Sequence, residues 1–143
     1  KQSFEALLGN ALEEECSLDI VQAVHSEIGS MIQMHKESRV EEPLMLGKEE
    51  VKAVLQQNGV SEQALAKFSV DYDEAFGFET QLHPKNVIDQ KKFEIKTPDV
   101  TIKVNPERSD LIETRVIGGV KYIMICADES VEVNGVSINI KED

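Results

Sequence analysis

Apolar residues recur at helical spacing through the first part of the chain, and this pattern predicts four helices. The first helix spans Ser3 to Glu14. The second begins after Ser17, whose hydroxyl can cap its first turn, and continues to about Lys36. The polar residues near 37–47 predict a linker, within which Leu44 to Leu46 can dock as a short strand or an extended contact.

The third and fourth predicted helices form a pair joined by a tight turn. The segment KEEVKAVLQQ predicts the third helix, and Asn58-Gly59 ends it. Ser61 caps the fourth helix, which carries apolar residues at helical spacing and closes at Gly77. The pattern resembles the turn of a helix-turn-helix, so DNA binding is one hypothesis for this pair.

From Phe93 onward the apolar residues alternate with polar ones, which is typical of strands. The runs FEI and VTIKV predict two strands, and two hairpins follow. Gly118-Gly119 joins the runs LIETRVI and VKYIMICA, and Asn134-Gly135 joins VEV and VSINI. Both dipeptides readily take the positive φ angles of two-residue hairpin turns.

These turns also predict the strand register. Ile112 should face Ile125 in the first hairpin, and Val131 should face Ile138 in the second. The stretch YIMICA has no polar face, so we expect it to form a central strand that is covered on both sides.

The sequence therefore predicts an α+β fold. About four N-terminal helices in residues 1–91 precede a four- to five-stranded, mostly antiparallel sheet in residues 92–143. We expect the two regions to pack as one compact unit, because a chain of 143 residues is long enough to bury a single core.

Charge narrows the classes of partner. The chain has 27 acidic and 15 basic residues, a formal net charge of −12, which disfavours binding to nucleic acids and anionic membranes. Residues 61–77, the fourth predicted helix and its ends, hold four acidic residues against Lys67 alone. No run of about 18 apolar residues predicts a membrane span, and no signal peptide opens the chain, so we expect a cytoplasmic protein.

One triplet suggests catalysis. Asp89, Glu94 and Lys96 have the D…ExK spacing of metal-dependent nucleases, in which carboxylates hold a divalent ion and a lysine assists the attacking water. A metal-dependent hydrolase is therefore an alternative hypothesis. In a chain that is 29% charged, however, chance explains such a triplet, and Glu94 and Lys96 also suit the outward face of a strand. We assign no catalytic, cofactor-binding or metal-binding residue.

Other candidate ligand residues fail their motifs. Asp71 and Asp73 match two positions of a calcium-binding EF-hand loop, but Phe76 occupies the position that requires glycine. The three histidines, His25, His35 and His83, lack zinc-binding spacing. The two cysteines form no metal or redox motif, so we predict that Cys16 and Cys126 are buried free thiols.

Two strings, TPDVTIKVNPERSDLIETRVIGGVKYIMICADESVEVNG and EPLMLGKEEVKAVLQQNGVSEQALAKF, resemble the C-terminal part of a bacterial family catalogued as domain of unknown function 4317. The likeness is most specific from Thr97 to Gly135. Members of this family look like longer cytoplasmic proteins of Gram-positive anaerobes. The resemblance thus implies a fragment of a longer protein, as Lys1 in place of an initiator methionine also suggests. It implies no catalytic residue.

These observations predict a noncatalytic interaction or regulatory module of a larger cytoplasmic bacterial protein. The expected partner is another protein or the remainder of its own chain. We expect no cofactor, no nucleic acid and no membrane as ligands. The metal-dependent hydrolase and the DNA-binding protein stand as the alternatives.

Overall fold

The computed structural model describes residues 3–142, in which four α-helices precede six short strands. The helices are α1 (Phe4–Leu12), α2 (Leu18–Ser38), α3 (Lys48–Gln57) and α4 (Glu62–Phe76). Short 3-10 helices lie at Glu13–Glu15, Pro84–Asn86 and Pro106–Leu111. The α+β class predicted from the sequence is confirmed.

The helices begin and end at the predicted signals. The Ser17 hydroxyl accepts a hydrogen bond from the Ile20 N–H at 3.3 Å at the start of α2. At the end of α3, Gly59 has a φ of +87°, and the Val60 N–H donates to the Leu55 carbonyl at 3.1 Å. This 6→1 bond past a left-handed glycine is the Schellman motif, which satisfies carbonyls that the helix end leaves unpaired.

The hydrophobic core lies among the helices. α4 packs against both α1 and α3. Phe68 on α4 contacts the ring of Phe4 edge-on at a centroid distance of 6.3 Å. The Lys48 ammonium on α3 binds both carboxylate oxygens of Asp73 on α4, at 2.9 and 3.0 Å. The largest fully buried side chains are Leu7, Ile28, Leu46, Leu55, Phe68, Tyr72 and Val87.

The segment between α2 and α3 docks as the sequence predicts. Leu46 is buried and forms an isolated antiparallel bridge with Leu82, with N–H···O distances of 2.8 and 2.7 Å. The bridge ties this segment to the one that leaves α4. Both segments line one cleft together with the C-terminal part of α2.

The strands form three separate antiparallel pairs, so the prediction of one four- to five-stranded sheet is wrong. The pairs are β1 (Phe93–Lys96) with β2 (Thr101–Val104), β3 (Ile112–Ile117) with β4 (Val120–Ile125), and β5 (Val131–Val133) with β6 (Val136–Ile138). Each strand pairs with its neighbour in sequence, because a short connection makes the entropy loss of closure small. The 3-10 helix Pro106–Leu111 separates β2 from β3, and the irregular segment 126–130 separates β4 from β5.

The prediction that β4 is a central strand covered on both sides is also wrong, since all six of its residues are exposed. Of the strand residues, only Phe93 and Ile112 are buried. The helices bury their apolar stripes against one another, and that core closes without β4. Both cysteines are free thiols, as predicted, but Cys126 beside β4 is exposed and Cys16 is half-buried.

Candidate interaction surface

The hairpin of β3 and β4 has the predicted turn and register. Gly118 and Gly119 have φ angles of +58° and +79°, in the left-handed region that glycine enters without steric cost. Ile112 faces Ile125, six residue pairs form in all, and the predicted register is confirmed. The local sequence alone thus specifies this hairpin.

Both faces of the hairpin carry exposed apolar side chains. Directly opposed residues of an antiparallel pair share a face, and successive residues alternate between faces. Ile117, Val120, Tyr122 and Met124 therefore lie on one face, and Val116, Ile123 and Ile125 lie on the other. Ile125 is 54% exposed, although isoleucine is among the residue types that are most often fully buried.

The outer edge of β4 presents unpaired backbone groups. Ile117 and Val120 flank the two-residue turn and face each other across the hairpin. Hydrogen-bonded and non-hydrogen-bonded pairs alternate along such a ladder, so the N–H and C=O groups of Ile123 and Ile125 point away from β3. Within residues 3–142 this sheet has two strands, and no third strand pairs with these groups. An edge of this kind can accept a strand from another polypeptide.

The hairpin of β5 and β6 also carries exposed apolar residues. Asn134 and Gly135 have φ angles of 49° and 80°, which agree with the predicted two-residue turn. Val131 faces Ile138 as predicted, but the apolar face of this hairpin is largely exposed. We call the exposed apolar residues of both hairpins the hairpin surface; it comprises Val116, Ile117, Val120, Tyr122, Ile123, Met124, Ile125, Val133, Val136 and Ile138.

The hairpin surface is nearly neutral in an acidic chain. The charged side chains of β3 and β4 are Glu113, Arg115 and Lys121, and the first two form an ion pair at 2.8 Å. Cys126 follows β4, and its thiol donates a hydrogen bond to Asp128 Oδ2 at 3.3 Å. That bond and the charge of Asp128 raise the pKa of the Cys126 thiol above its usual range. The thiol is therefore accessible but weakly nucleophilic at neutral pH.

The structure brings part of the D…ExK triplet together. Glu94 Oε1 lies 3.2 Å from Lys96 Nζ and 4.0 Å from Lys92 Nζ, and the hydrogen bond from Lys96 is the main cause that lowers the pKa of Glu94. Asp89 is exposed, and its Oδ1 accepts a hydrogen bond from the Lys91 N–H at 3.0 Å. Asp89 and Glu94 line one groove of about 620 Å³ together with His25.

Within residues 3–142, no group of three or more His, Cys, Asp or Glu side chains is placed to hold a metal ion. The His25 ring instead donates through Nε2 to the carbonyl oxygens of Asp89 and Lys92, at 3.0 and 3.1 Å. Its visible role is to hold the turn before β1 against α2.

The cations of the α3–α4 pair are engaged by the protein itself. Lys67 Nζ lies 2.7 Å from Glu13 Oε1 and donates to the Asn10 carbonyl at the same distance. Lys48 is paired with Asp73, and Lys52 lies 3.9 Å from Glu49. The turn resembles a helix-turn-helix in sequence, yet its lysines face carboxylates of the same molecule.

In the part of the chain that the structure describes, no helix is both long and apolar enough to cross a membrane.

Sequence reasoning identified every strand of the hairpin surface but assigned its apolar residues to the interior. The sequence pattern did not distinguish exposure from burial, because an apolar strand has the same pattern whether its own chain or another chain covers it. β4 has apolar residues on both faces, and this pattern predicted burial on both sides. Within residues 3–142, all six residues of β4 are exposed and no third strand pairs with it.

The comparisons with known proteins identify a family. The family model described as Domain of unknown function (DUF4317) matches residues 1–136. No curated protein and no solved structure matches the chain.

Proposed function

Because the chain belongs to the DUF4317 family, whose description names no activity, we propose a function from its surface. The chain is a noncatalytic interaction module that binds a partner polypeptide through the hairpin surface. The proposed setting is the cytoplasm of a bacterium, within a longer protein, and the resemblance of Thr97–Gly135 supports that setting.

One observation carries the proposal: β4 has the composition of a central strand but the exposure of an edge strand. Exposed apolar groups on both faces are unfavourable in water, at roughly 25 cal/mol for each Å² of apolar surface. Contiguous apolar patches mark interaction sites in soluble proteins, and Ile117, Val120, Tyr122 and Met124 share one face of this hairpin. A partner that covers them removes this unfavourable exposure.

The chemistry of the surface defines the partner. The outward backbone groups of Ile123 and Ile125 suit an extended segment that adds to β4 as a third strand. Alternating apolar side chains on that segment would continue both faces of the hairpin. The near neutrality of β3 and β4 requires no strong charge on the partner, whereas polyanions would meet the −12 charge of the whole chain.

Cys126 offers a direct test, because it is exposed and lies at the end of β4. A photoactivatable crosslinker attached there, in a Cys16→Ser background, should join the module to one defined segment of a partner in cells that naturally contain it. The matched control, Cys126→Ser with Val70→Cys, moves the thiol to an α4 position that is 56% exposed. We expect no such product from the control.

A second measurement links the product to the β4 edge. The captured segment, added as a synthetic peptide, should slow the hydrogen exchange of the Ile123 and Ile125 amides. Equal products from both thiol positions, or unchanged exchange at β4, would refute the proposal. A crosslink between two copies of this chain would refute a separate partner and show self-association through β4 instead.

A further inference from the structure

A second surface, which is basic rather than apolar and neutral, lies in a cleft of about 670 Å³ beside the C-terminal end of α2. Its walls come from α2, from the segment before α3 and from the segment that leads to β1. Its aliphatic lining comes from Ile32, Leu44 and Ile88, and its basic lining comes from Lys36, Lys85 and Lys91. None of them belongs to the hairpin surface.

The charge of this cleft is opposite to that of the chain. Lys36, Lys85 and Lys91 line it, whereas Asp89 is its single carboxylate, in a chain of net charge −12. Asp89 Oδ1 already accepts a hydrogen bond from the Lys91 N–H at 3.0 Å. The imidazoles of His35 and His83 add two further polar groups.

The three lysines have no carboxylate partner. Among residues 3–142, none of their ammonium groups lies within 4.0 Å of an Asp or Glu oxygen. Five other lysines of the chain do form such pairs, and they are Lys48, Lys52, Lys67, Lys92 and Lys96. The three lysines are exposed and unpaired within residues 3–142, so their ammonium groups are free to bind an anion.

Helix stabilisation explains only part of this charge. Cations near a helix C-terminus interact favourably with its dipole, which accounts for Lys36 in the last turn of α2. Lys85 lies in the 3-10 helix Pro84–Asn86, and Lys91 lies in the turn before β1. The fold brings these two lysines to α2 from a distant part of the sequence.

The floor and walls of the cleft are apolar and held in place. Ile32, Leu44 and Ile88 supply aliphatic surface, and Ile88 is only 8% exposed. The His35 ring nitrogen Nε2 lies 2.6 Å from the Glu42 carbonyl oxygen, and the Gln90 amide donates to the Gly29 carbonyl at 3.3 Å. Because these bonds fix the walls without a ligand, binding requires little reordering.

We infer that this cleft binds a small amphiphilic anion, with an anionic head group at the lysines and an apolar body against Ile32, Leu44 and Ile88. Uncompensated lysines attract a carboxylate or phosphate, and the aliphatic floor favours a hydrocarbon body. The volume falls within the range of about 300–1,000 Å³ that is typical of small-molecule sites. This site is independent of the proposed partner binding at the hairpin surface.

Calorimetric titration of the whole chain with decanoate and decyl phosphate tests the inference. Decyltrimethylammonium has the same tail with the opposite charge and should not bind measurably, and inorganic phosphate should bind more weakly than decyl phosphate. The variant Lys85→Glu/Lys91→Glu should weaken decanoate binding about tenfold or more, since two attractions become repulsions. The matched control Lys103→Glu/Lys141→Glu makes the same charge change outside the cleft and should leave affinity within about twofold of wild type.

Several results would overturn the inference. Equal binding of decanoate and decyltrimethylammonium would show an apolar groove without anion recognition. Equal loss in the cleft variant and in its control would show a general effect of net charge. If Lys85→Glu/Lys91→Glu lowers the thermal midpoint, Lys85→Gln/Lys91→Gln replaces it, and unchanged decanoate affinity in that variant counts against the site.

Discussion

At the scale of single residues, Glu15 shows how one side chain connects distant elements. It lies in the 3-10 helix after α1, yet its Oε1 accepts the Ser61 N–H at 2.7 Å and its Oε2 accepts the Ser61 hydroxyl at 2.6 Å. Ser61 Oγ in turn accepts the Ala64 N–H at 3.2 Å in the first turn of α4. The cap of α4 is therefore completed from 46 residues away.

Acidification should reveal this cap. The hydrogen bonds from Ser61, the hydroxyl first and the N–H second, lower the pKa of Glu15 in the folded protein. A carboxyl whose pKa is lower in the folded than in the unfolded protein stabilises the folded state. This contribution is fully present above the unfolded glutamate pKa of about 4.3, and it is lost as the pH falls through the folded pKa. Urea unfolding from about pH 6 to about pH 3 should therefore show a smaller loss of unfolding free energy in Glu15→Gln than in wild type.

Glu14→Gln is the matched control for the acid titration. Glu14 is an exposed neighbour, and within residues 3–142 its side chain makes no hydrogen bond. The unfolding free energy of Glu14→Gln should therefore change with pH as that of wild type does. Identical pH profiles for Glu15→Gln and Glu14→Gln would contradict the role of Glu15 in the cap.

At the scale of elements, the helices and the hairpins differ in how they are stabilised. Leu55 on α3 is fully buried, whereas Ile125 on β4 is 54% exposed. Removing a buried leucine loses its transfer free energy and leaves a cavity, but removing an exposed isoleucine does neither to the same extent. The helices therefore hold the core, and the hairpins of the C-terminal region project their apolar residues outward.

Truncation to alanine should separate these two environments. We expect Leu55→Ala to lower the unfolding free energy by about 2–5 kcal/mol and Ile125→Ala to change it by no more than about 0.5 kcal/mol. Chemical denaturation of the isolated chain measures both values. A loss of about 2 kcal/mol or more in Ile125→Ala would mean that β4 is covered in solution.

The β5–β6 turn should respond to the loss of its glycine. Gly135 has a φ of +80°, where a β-branched residue is disfavoured by about 1–2 kcal/mol. An isolated two-stranded hairpin is marginally stable, so Gly135→Val should speed the amide exchange of Val131–Ile138. The unfolding midpoint of the helices should stay constant, because their core cluster contains no residue of this hairpin.

Ser137→Val is the control for the turn, since it places the same side chain in β6 without a positive φ. It should retain or increase protection of the hairpin. Unchanged exchange in Gly135→Val would show that the turn is not of the left-handed type.

At the scale of the whole molecule, charge decides which large partners are compatible. Residues 61–77 present four acidic side chains, and their single lysine is paired with Glu13. DNA binding depends on cations that replace the counterions of phosphates. The acidic side chains of the helix pair that resembles a helix-turn-helix therefore repel the phosphates of duplex DNA.

We predict that the chain binds duplex DNA more weakly than the nonspecific dissociation constants of about 10⁻⁴ to 10⁻⁶ M, even at low salt. Fluorescence anisotropy with a labelled duplex provides the measurement. The charge-reversed variant Glu62→Lys/Asp71→Lys/Glu74→Lys serves as the positive control and should gain salt-sensitive affinity. Micromolar, salt-sensitive binding by the wild type would instead establish the DNA-binding alternative.

The sequence by itself determined the elements whose causes are local. Helical spacing and the serine caps predicted all four α-helices, and the ends of α3 and α4 at Gly59 and Gly77 are as predicted. The dipeptides Gly118-Gly119 and Asn134-Gly135 predicted both turns, and with them the register of β3–β4 and β5–β6. These features depend on backbone preferences and contacts within a few residues, which the sequence displays directly.

Only the tertiary structure decided which strands share a sheet and which faces are covered. An apolar strand such as β4 has the same sequence pattern whether its covering comes from its own chain or from another one. The anionic cap that Glu15 places on Ser61, and the cleft where Lys36 meets Lys85 and Lys91, likewise join segments far apart in sequence. Such sites arise from packing geometry, because each residue alone has no local pattern that points to its partner.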